Sequence, residues 1–196
     1  MIKDHTVGSY LDALASGAAT PGGGAAAALT VAQAAALISM ACNFTLGRAA
    51  FGTQALEVER LNVVSEGVRS LALMATQEDV VAFERLKAAY GLPQNDPTRQ
   101  EALQQALKTA ALVPAQLFRP MEELVEAAVR LRAICNPNLV SDIDVALSLL
   151  RGAAGGLRFI ANANLDRVEE PNFGSDVKAD MHRFEMAIQD TSNEHW

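Results

Sequence analysis

A long segment without charge constrains the fold of this chain more than any other feature of its sequence. Between Asp12 and Arg48 there is no acidic or basic residue, and residues 25–44 are mostly alanine and other apolar residues. Length alone would let this segment span a membrane. Four polar residues interrupt it, however, and a helix that is apolar on all sides is also what the centre of a soluble bundle requires. We therefore expect a buried central helix rather than a membrane span.

Alanine dominates the rest of the chain as well. The sequence contains 36 alanines in 196 residues and only 5% aromatic residues, which favours closely packed helices. Because hairpin signals such as Asn-Gly and Asp-Gly are absent, we predict an all-α bundle of about five to seven helices around the alanine-rich one. We assign residues 1–170 to this domain and residues 171–196 to a charged C-terminal extension that forms one short helix.

Glycine, proline and asparagine clusters set the predicted helix ends. Thr6 and Ser141 are predicted N-caps, and Ser175 is a candidate cap for the last helix. Pro114 and Pro120 are expected to kink or split the fourth helix. The predicted helices cover approximately residues 6–16, from the glycines to 45, 54–90, 98–134, 141–167 and a last stretch after 175.

Histidines and charge exclude several classes of function. His5, His182 and His195 lie near the two ends of the chain, so a histidine-dependent hydrolase or zinc site would have to be built from the termini. The formal net charge of −7 argues against a general nucleic-acid or anionic-membrane binder. Two cysteines cannot provide a disulfide scaffold for a chain of this length. Chemistry in the middle of the chain must come from carboxylates, amides, hydroxyls, arginines and backbone groups.

Two positions stand out as candidate sites. The segment from Thr20 through Gly22, Gly23 and Gly24 enters the central helix, and it is either an anion site at a helix N-terminus or a tight helix connection. Asp79 interrupts an apolar stripe at helical spacing. It is either an acid–base group with a raised pKa or a structural aspartate held by a partner.

Polar residues later in the chain form further candidates. The segment Asn138–Asp142 offers an amide, the Ser141 hydroxyl and a carboxylate to a polar ligand, or it simply begins a helix. Asn43 and Arg48 lie at the end of the central helix. The arginine would bind a carboxylate or favour the helix C-terminus.

Taken in order, these segments resemble the cyclodeaminase/cyclohydrolase family. The resemblance covers roughly residues 5–168, and its motifs are fairly specific only in combination. Cys135 stands where a glycine often precedes the asparagine segment, and Ile160 stands where an asparagine is common. The matching motifs are Thr20–Gly24, Asn43–Arg48, Asp79-x-x-Ala-Phe83, Val113-Pro114, Asn138-x-x-Ser141-Asp142 and Asn164-Leu165.

The resemblance implies a helical protein that forms a homodimer and binds a folate in a groove lined by helices. It implies either closure of 5-formiminotetrahydrofolate with loss of ammonia or hydrolysis of the 5,10-methenyl bridge to 10-formyltetrahydrofolate. Both reactions pass through a tetrahedral carbon between N5 and N10, and neither needs a metal or redox cofactor. Asp79 would carry the proton with Asp142 as a second carboxylate or orienter. Asn138 and Ser141 would hold the pterin, while Arg48, Asn43, Thr20 and the glycine amides would bind the rest of the substrate, including its anionic tail.

Three readings of the function remain open at this point. The chain is a folate enzyme of either reaction, a folate-binding relative without activity, or a structural helical protein that dimerises through its small residues. No nucleic-acid or membrane partner is expected. The N-terminus lacks the apolar run of a signal peptide, so we expect a cytoplasmic protein.

Overall fold

The computed structural model describes residues 2–193, with the side chains of residues 49–51, 171 and 187–193 outside that description. Every regular element within 2–193 is helical, which confirms the all-α prediction. Three short 3-10 turns accompany seven α-helices. These helices are α1 (Val7–Ala15), α2 (Gly23–Leu46), α3 (Ala55–Gly91), α4 (Arg99–Ala115), α5 (Phe118–Ile134), α6 (Val140–Leu165) and α7 (Pro171–Asn193).

Helix α2 is the centre of the bundle, as its uncharged sequence predicts. It lies between α3 and α6 and runs antiparallel to both. At its N-terminal end Gly24 adjoins Asp79 of α3 and Gly23 faces Ile160 of α6. At its C-terminal end Asn43 accepts a hydrogen bond from Asn62 of α3, and Thr45 accepts one from Asn136, just before α6. Many of its alanines are completely buried, and a Cβ on Gly156 of α6 would lie 3.3 Å from the Cβ of Ala27. Small side chains therefore let these helix axes approach closely.

The same helix has the length and composition of a membrane span. Within the described residues α2 alone meets that test, and most of the tested segment is buried inside the bundle. Core helices of soluble proteins meet the test for the same reason, because an apolar surface on all sides is needed wherever protein surrounds a helix.

Several predicted helix ends need correction. Thr6 caps α1 as predicted, since its hydroxyl oxygen accepts the Ser9 N–H at 3.1 Å. Ser141 is not an N-cap, because α6 begins at Val140 directly after a 3-10 turn (Pro137–Leu139) that the Asn136 side chain caps. Ser175 is not a cap either and lies in the second turn of α7. The extra turns extend both helices towards the N-terminus.

Helix α7 is longer than the short helix predicted for the C-terminal extension. It has 23 residues, and its Met181 is only 2% exposed. This side chain belongs to the same apolar core as α2, α5 and α6, with Phe173, Val177 and Phe184 packed against that core. The helix is thus part of the packed bundle, while the division of the chain at residue 170 remains a prediction.

Candidate functional site

A cavity of about 280 Å³ opens at the N-terminus of α2. The glycine segment before α2 forms one wall, α3 and α6 form the sides, and α4 contributes Ala110. Its side-chain polar groups come from Thr20, Asp79 and Asn164, and the remaining surface is mostly apolar. Among the described residues that line it there is no cation and only one carboxylate. We call this space the Asp79 cavity.

Asp79 reaches the cavity because it replaces an apolar residue on the face of α3 that packs against α2. The Ala25 backbone N–H donates a hydrogen bond of 2.9 Å to its Oδ2. A Cβ on Gly24 would lie only 2.0 Å from Oδ1 and 2.5 Å from Cγ. Gly24 is therefore required for space, and the carboxylate occupies the positive end of the α2 dipole. The anion that the glycine segment predicts at this helix end is the chain's own Asp79.

Burial governs the protonation of this carboxyl group. Desolvation raises the pKa of Asp79 above its ordinary value of 3.8, and the hydrogen bond from Ala25 offsets part of that rise. The pKa of Tyr10 on α1 is also raised, first by burial and second by the nearby charge of Asp79. A carboxyl group whose pKa moves towards neutrality is better suited to give and take protons than an exposed one.

Asn164 is a polar residue of the cavity that was not predicted as a site residue, although it belongs to one of the sequence motifs. Its side-chain Nδ2 donates to the carbonyl oxygens of Ile160 at 3.0 Å and Ala110 at 3.4 Å. Ala110 lies four residues before Pro114, which has no N–H to donate to that carbonyl in the helix. The position of Pro114, four residues after Ala110, is the sequence signal that could have shown that the Ala110 carbonyl is free to accept a hydrogen bond from Asn164.

The other predicted site residues lie at the opposite end of α2. Because α2 has 24 residues and rises 1.5 Å per residue, its two ends are about 35 Å apart. The start of α6 is at this far end, since the Asn136 N–H donates to the Thr45 hydroxyl at 3.3 Å. The fold of the chain therefore does not bring these residues to the Asp79 cavity. We call this group the Arg48 cluster; it comprises Asn43, Arg48, Asn138, Ser141 and Asp142.

Local contacts in the Arg48 cluster leave its charged group accessible. The Asn43 Oδ1 accepts from Asn62 at 3.1 Å, and the Asn138 backbone N–H donates to the Asn136 side chain at 3.2 Å. Arg48 is exposed, and it forms no ion pair with the side chains that the structure describes. The cluster therefore contains an exposed guanidinium, amides and the carboxylate of Asp142, and an open groove of about 390 Å³ beside Asn43 is lined by Glu66 and Arg69 of α3 as well.

The remaining candidates for chemistry are separate from both groups. Cys42 and Cys135 are free and buried, and burial raises the pKa of Cys42 to about 12, which keeps its thiol protonated and fits a packing role. His5 and His182 are exposed, and His195 lies outside the described residues. No group of three or more potential metal-binding side chains converges within the described part of the chain.

Comparison with known proteins shows that this chain is similar to folate enzymes. The chain is 38% identical to a methenyltetrahydrofolate cyclohydrolase of Methylorubrum extorquens over 82% of its own length and 78% of the relative's. It is 27% identical to the formimidoyltransferase-cyclodeaminase of Rattus norvegicus over 98% of its length, but it spans only 36% of that larger protein.

A solved structure and a family model agree with these relatives. The crystal structure of formiminotetrahydrofolate cyclodeaminase from Thermotoga maritima superimposes with a TM-score of 0.91 at 27% identity, covering 98% of this chain and 94% of that one. The family model described as formiminotransferase-cyclodeaminase matches residues 6–183, which include both the Asp79 cavity and the Arg48 cluster. The chain belongs to the formiminotransferase-cyclodeaminase family.

Proposed function

We propose that this protein is a folate one-carbon enzyme that hydrolyses the bridge of 5,10-methenyltetrahydrofolate to give 10-formyltetrahydrofolate. The Methylorubrum cyclohydrolase supports this choice, because it is 38% identical whereas the rat and Thermotoga cyclodeaminases are 27% identical. Cyclodeamination of 5-formiminotetrahydrofolate is the second candidate, because the Thermotoga cyclodeaminase matches nearly the whole chain with a TM-score of 0.91.

The observation that carries the proposal is Asp79, a single carboxylate in an otherwise uncharged cavity. With its pKa raised by burial, Asp79 takes a proton from the attacking water as the methenyl carbon becomes tetrahedral. It then returns this proton to N5 as the bond between that nitrogen and the carbon breaks. The second proton of the water, on the hydroxyl of the tetrahedral carbon, is released to solvent as the formyl C=O forms, which balances the charge lost from the methenyl cation. In the cyclodeaminase reaction the same group would protonate the departing ammonia, so one proton carrier serves either chemistry.

The rest of the cavity is suited to the pterin end of a folate. Phe83, Leu86 and Ile160 offer apolar surface to a flat ring, while Thr20 and Asn164 offer polar groups at its edge. Ile160 stands where the family resemblance leads one to expect an asparagine, so one polar contact is replaced by an apolar one. A cavity of about 280 Å³ is at the small end for a drug-sized ligand, so the aminobenzoyl-glutamate part must extend beyond it.

The chemistry of either reaction consists of proton transfers at nitrogen and oxygen. We therefore assign no metal or redox cofactor to the enzyme and expect the tetrahydrofolate derivative alone to bind. We also assign it to the cytoplasm and expect a homodimer. Helix α2 supports dimerisation, because its outward face presents the exposed Gln33, Ala36 and Phe44 and contains no charge.

The decisive experiment follows the absorbance of methenyltetrahydrofolate as it disappears, with wild-type protein and Asp79→Asn. We expect turnover by the wild-type protein and a loss of kcat of about 100-fold or more in the variant, which keeps the shape of the side chain but not its proton. Formiminotetrahydrofolate, followed by ammonia release, tests the second reaction. The matched control is Asp12→Asn, an exposed aspartate on α1, which should leave turnover unchanged.

Three outcomes would contradict the proposal in different ways. Turnover of Asp79→Asn within threefold of the wild-type protein would remove Asp79 from the role of proton carrier. Binding of the folate without turnover of either substrate would indicate a relative that has lost activity. No folate-induced shift in Tm at saturating ligand would indicate a structural helical protein.

A further inference from the structure

Helix α1 places one side chain in the interior of the protein. Tyr10 is 7% exposed and is the only buried residue of this nine-residue helix. Just before the helix, the Ile2 backbone N–H donates to the Gln77 side chain of α3 at 3.1 Å. Gln77 lies two residues before Asp79, so this bond holds the N-terminal segment beside the part of α3 that carries the proton carrier.

The hydroxyl group of Tyr10 is buried without a partner. Its oxygen is almost inaccessible to solvent, and no group among the described residues forms a hydrogen bond with it. A buried hydroxyl without a hydrogen bond is costly, and a phenylalanine ring would fill the same space without that cost. Packing therefore accounts for the ring of Tyr10 but not for its hydroxyl.

Asp79 is the charged group that acts on this hydroxyl. Burial raises the pKa of Tyr10, and the negative charge of Asp79 raises it further. Such an effect requires that the two groups lie near each other in a part of the protein that contains little water. The carboxylate has room for a second donor, because the hydrogen bond from Ala25 goes to Oδ2 and leaves the lone pairs of Oδ1 available.

The other walls of the Asp79 cavity offer no competing charge. Among the described residues that line it, Asp79 is the only titratable one, and Thr20 and Asn164 are the only other polar side chains. Burial raises the pKa of Asp79, and the Ala25 N–H lowers it. A further donor from α1 would therefore shift the balance between these two effects towards the charged form.

We propose that Tyr10 is a positioning residue for Asp79 and that its hydroxyl donates to Oδ1 through one bridging water molecule. A bridging water joins polar groups that are too far apart for a direct bond and is nearly as favourable as that bond. With donors at both oxygens, the carboxylate keeps one orientation towards the substrate. Its charged form, which accepts the proton from the attacking water, is favoured. This role in the reaction rests on the proposed function.

Removal of the hydroxyl alone tests the contact. Tyr10→Phe keeps the ring and its packing, while the Asp79 carboxylate loses a donor. The pKa of Asp79, read from the NMR shift of its carboxyl carbon in protein labelled at aspartate, should rise by about 0.5 to 1 unit. The signal is assigned by its absence from Asp79→Asn. This measurement does not depend on turnover.

The pH dependence of turnover distinguishes positioning from a loss of packing. Because Asp79 accepts a proton in its charged form, a higher pKa should move the acid limb of kcat/KM for methenyltetrahydrofolate to higher pH. Below that limb, Tyr10→Phe should lose about 3- to 10-fold in kcat/KM, and above it the variant should approach the wild-type value. A packing defect would instead lower kcat/KM by one factor at every pH.

Tyr90→Phe is the matched control. Tyr90 is the second of the two tyrosines, and its hydroxyl is also buried without a partner among the described residues. It lies 11 residues after Asp79 on α3, about 16 Å along the helix, and the guanidinium carbon of Arg167 is 5.0 Å from its ring centre. Removing this hydroxyl should change neither the pKa of Asp79 nor the pH profile.

Several results would overturn the inference. One is an unchanged pKa of Asp79 in Tyr10→Phe, and another is a kcat/KM that falls by the same factor at every pH. Equal shifts in Tyr10→Phe and Tyr90→Phe would also contradict it, because the effect would then not depend on proximity to Asp79. A wild-type protein that turns over neither substrate would instead contradict the proposed function, and the NMR titration would still decide whether Tyr10 donates to Asp79.

Discussion

At the scale of single residues, Gly24 and Asp79 depend on each other. All described glycines have negative φ, so Gly24 is needed because there is no room for a Cβ beside the carboxylate and not because of an unusual backbone conformation. In return, Asp79 satisfies the Ala25 N–H in the first turn of α2. The sequence pattern identified both residues, but it related Gly24 to an anion site or a tight helix connection and not to Asp79. The gap in the apolar stripe of α3 was enough to find Asp79, whereas its contact with Gly24 required the structure.

The raised pKa of Asp79 predicts the pH dependence of its effect on stability. A carboxyl group with a higher pKa in the folded state stabilises the fold when protonated, and this contribution is lost as pH rises from 3.8 through the raised pKa. Asp79→Asn should therefore be more stable than the wild-type protein at pH 8, by about 1 kcal/mol. The difference should shrink towards pH 4 in Tm measurements across that range.

An aspartate with the opposite shift provides the control. Hydrogen bonds from the Thr98 hydroxyl and backbone N–H lower the pKa of Asp96, so its contribution is present above its ordinary pKa and is lost as pH falls. Asp96→Asn should then lower Tm at pH 8 rather than raise it. If Asp79→Asn also lowered Tm at pH 8, the bond to Ala25 would outweigh the cost of burying the charge.

At the scale of elements, helix existence was predictable from the sequence and helix ends were less so. The central helix and α3 were identified from the helical spacing of their apolar residues and from the glycine and proline residues near their ends, because both helices are long. The cap assigned to Ser141 was wrong because Asn136 begins a 3-10 turn that runs directly into α6, and a single turn of this kind has no distinct periodicity. Asn43 and Arg48 are far from the glycine segment because the whole length of α2 lies between them. The sequence motifs give no distances, so this separation was not predicted from them.

The break between α4 and α5 has a consequence for the site. Pro114 lies near the end of α4 and leaves the Ala110 carbonyl without its helical N–H donor, and Asn164 donates to that carbonyl at 3.4 Å. Pro114→Ala restores the backbone donor, which competes with Asn164. We expect stability to rise by about 1 kcal/mol, because a proline is removed from within a helix, and kcat/KM to fall severalfold as Asn164 loses an anchor.

Pro120 is the matched control for that experiment. It lies in the first turn of α5, where backbone N–H groups have no helical partner. Pro120→Ala should therefore leave kcat/KM unchanged. Steady-state rates and Tm of both variants test the prediction, and unchanged kcat/KM in Pro114→Ala would show that the Ala110 carbonyl does not position Asn164.

At the scale of the whole molecule, the distribution of charge distinguishes one surface from the rest. The chain has 23 acidic and 16 basic residues, yet the outward face of α2 has none. Helix α7, by contrast, exposes charged residues beside its buried Met181. We propose that this strip, which Glu66 and Arg69 of α3 border, is the surface that the second copy in the expected homodimer covers.

A charge in the middle of that strip should therefore separate the two copies. In a homodimer packed through this strip, Ala36→Glu would bury a carboxylate of each copy in the interface, where desolvation and repulsion both oppose association. We expect a monomer in light scattering, with helical content retained in circular dichroism. Ala179→Glu is the control, since Ala179 is an exposed alanine on α7, and it should stay dimeric and active. An Ala36→Glu protein that remains dimeric would show that the two copies do not pack through this strip.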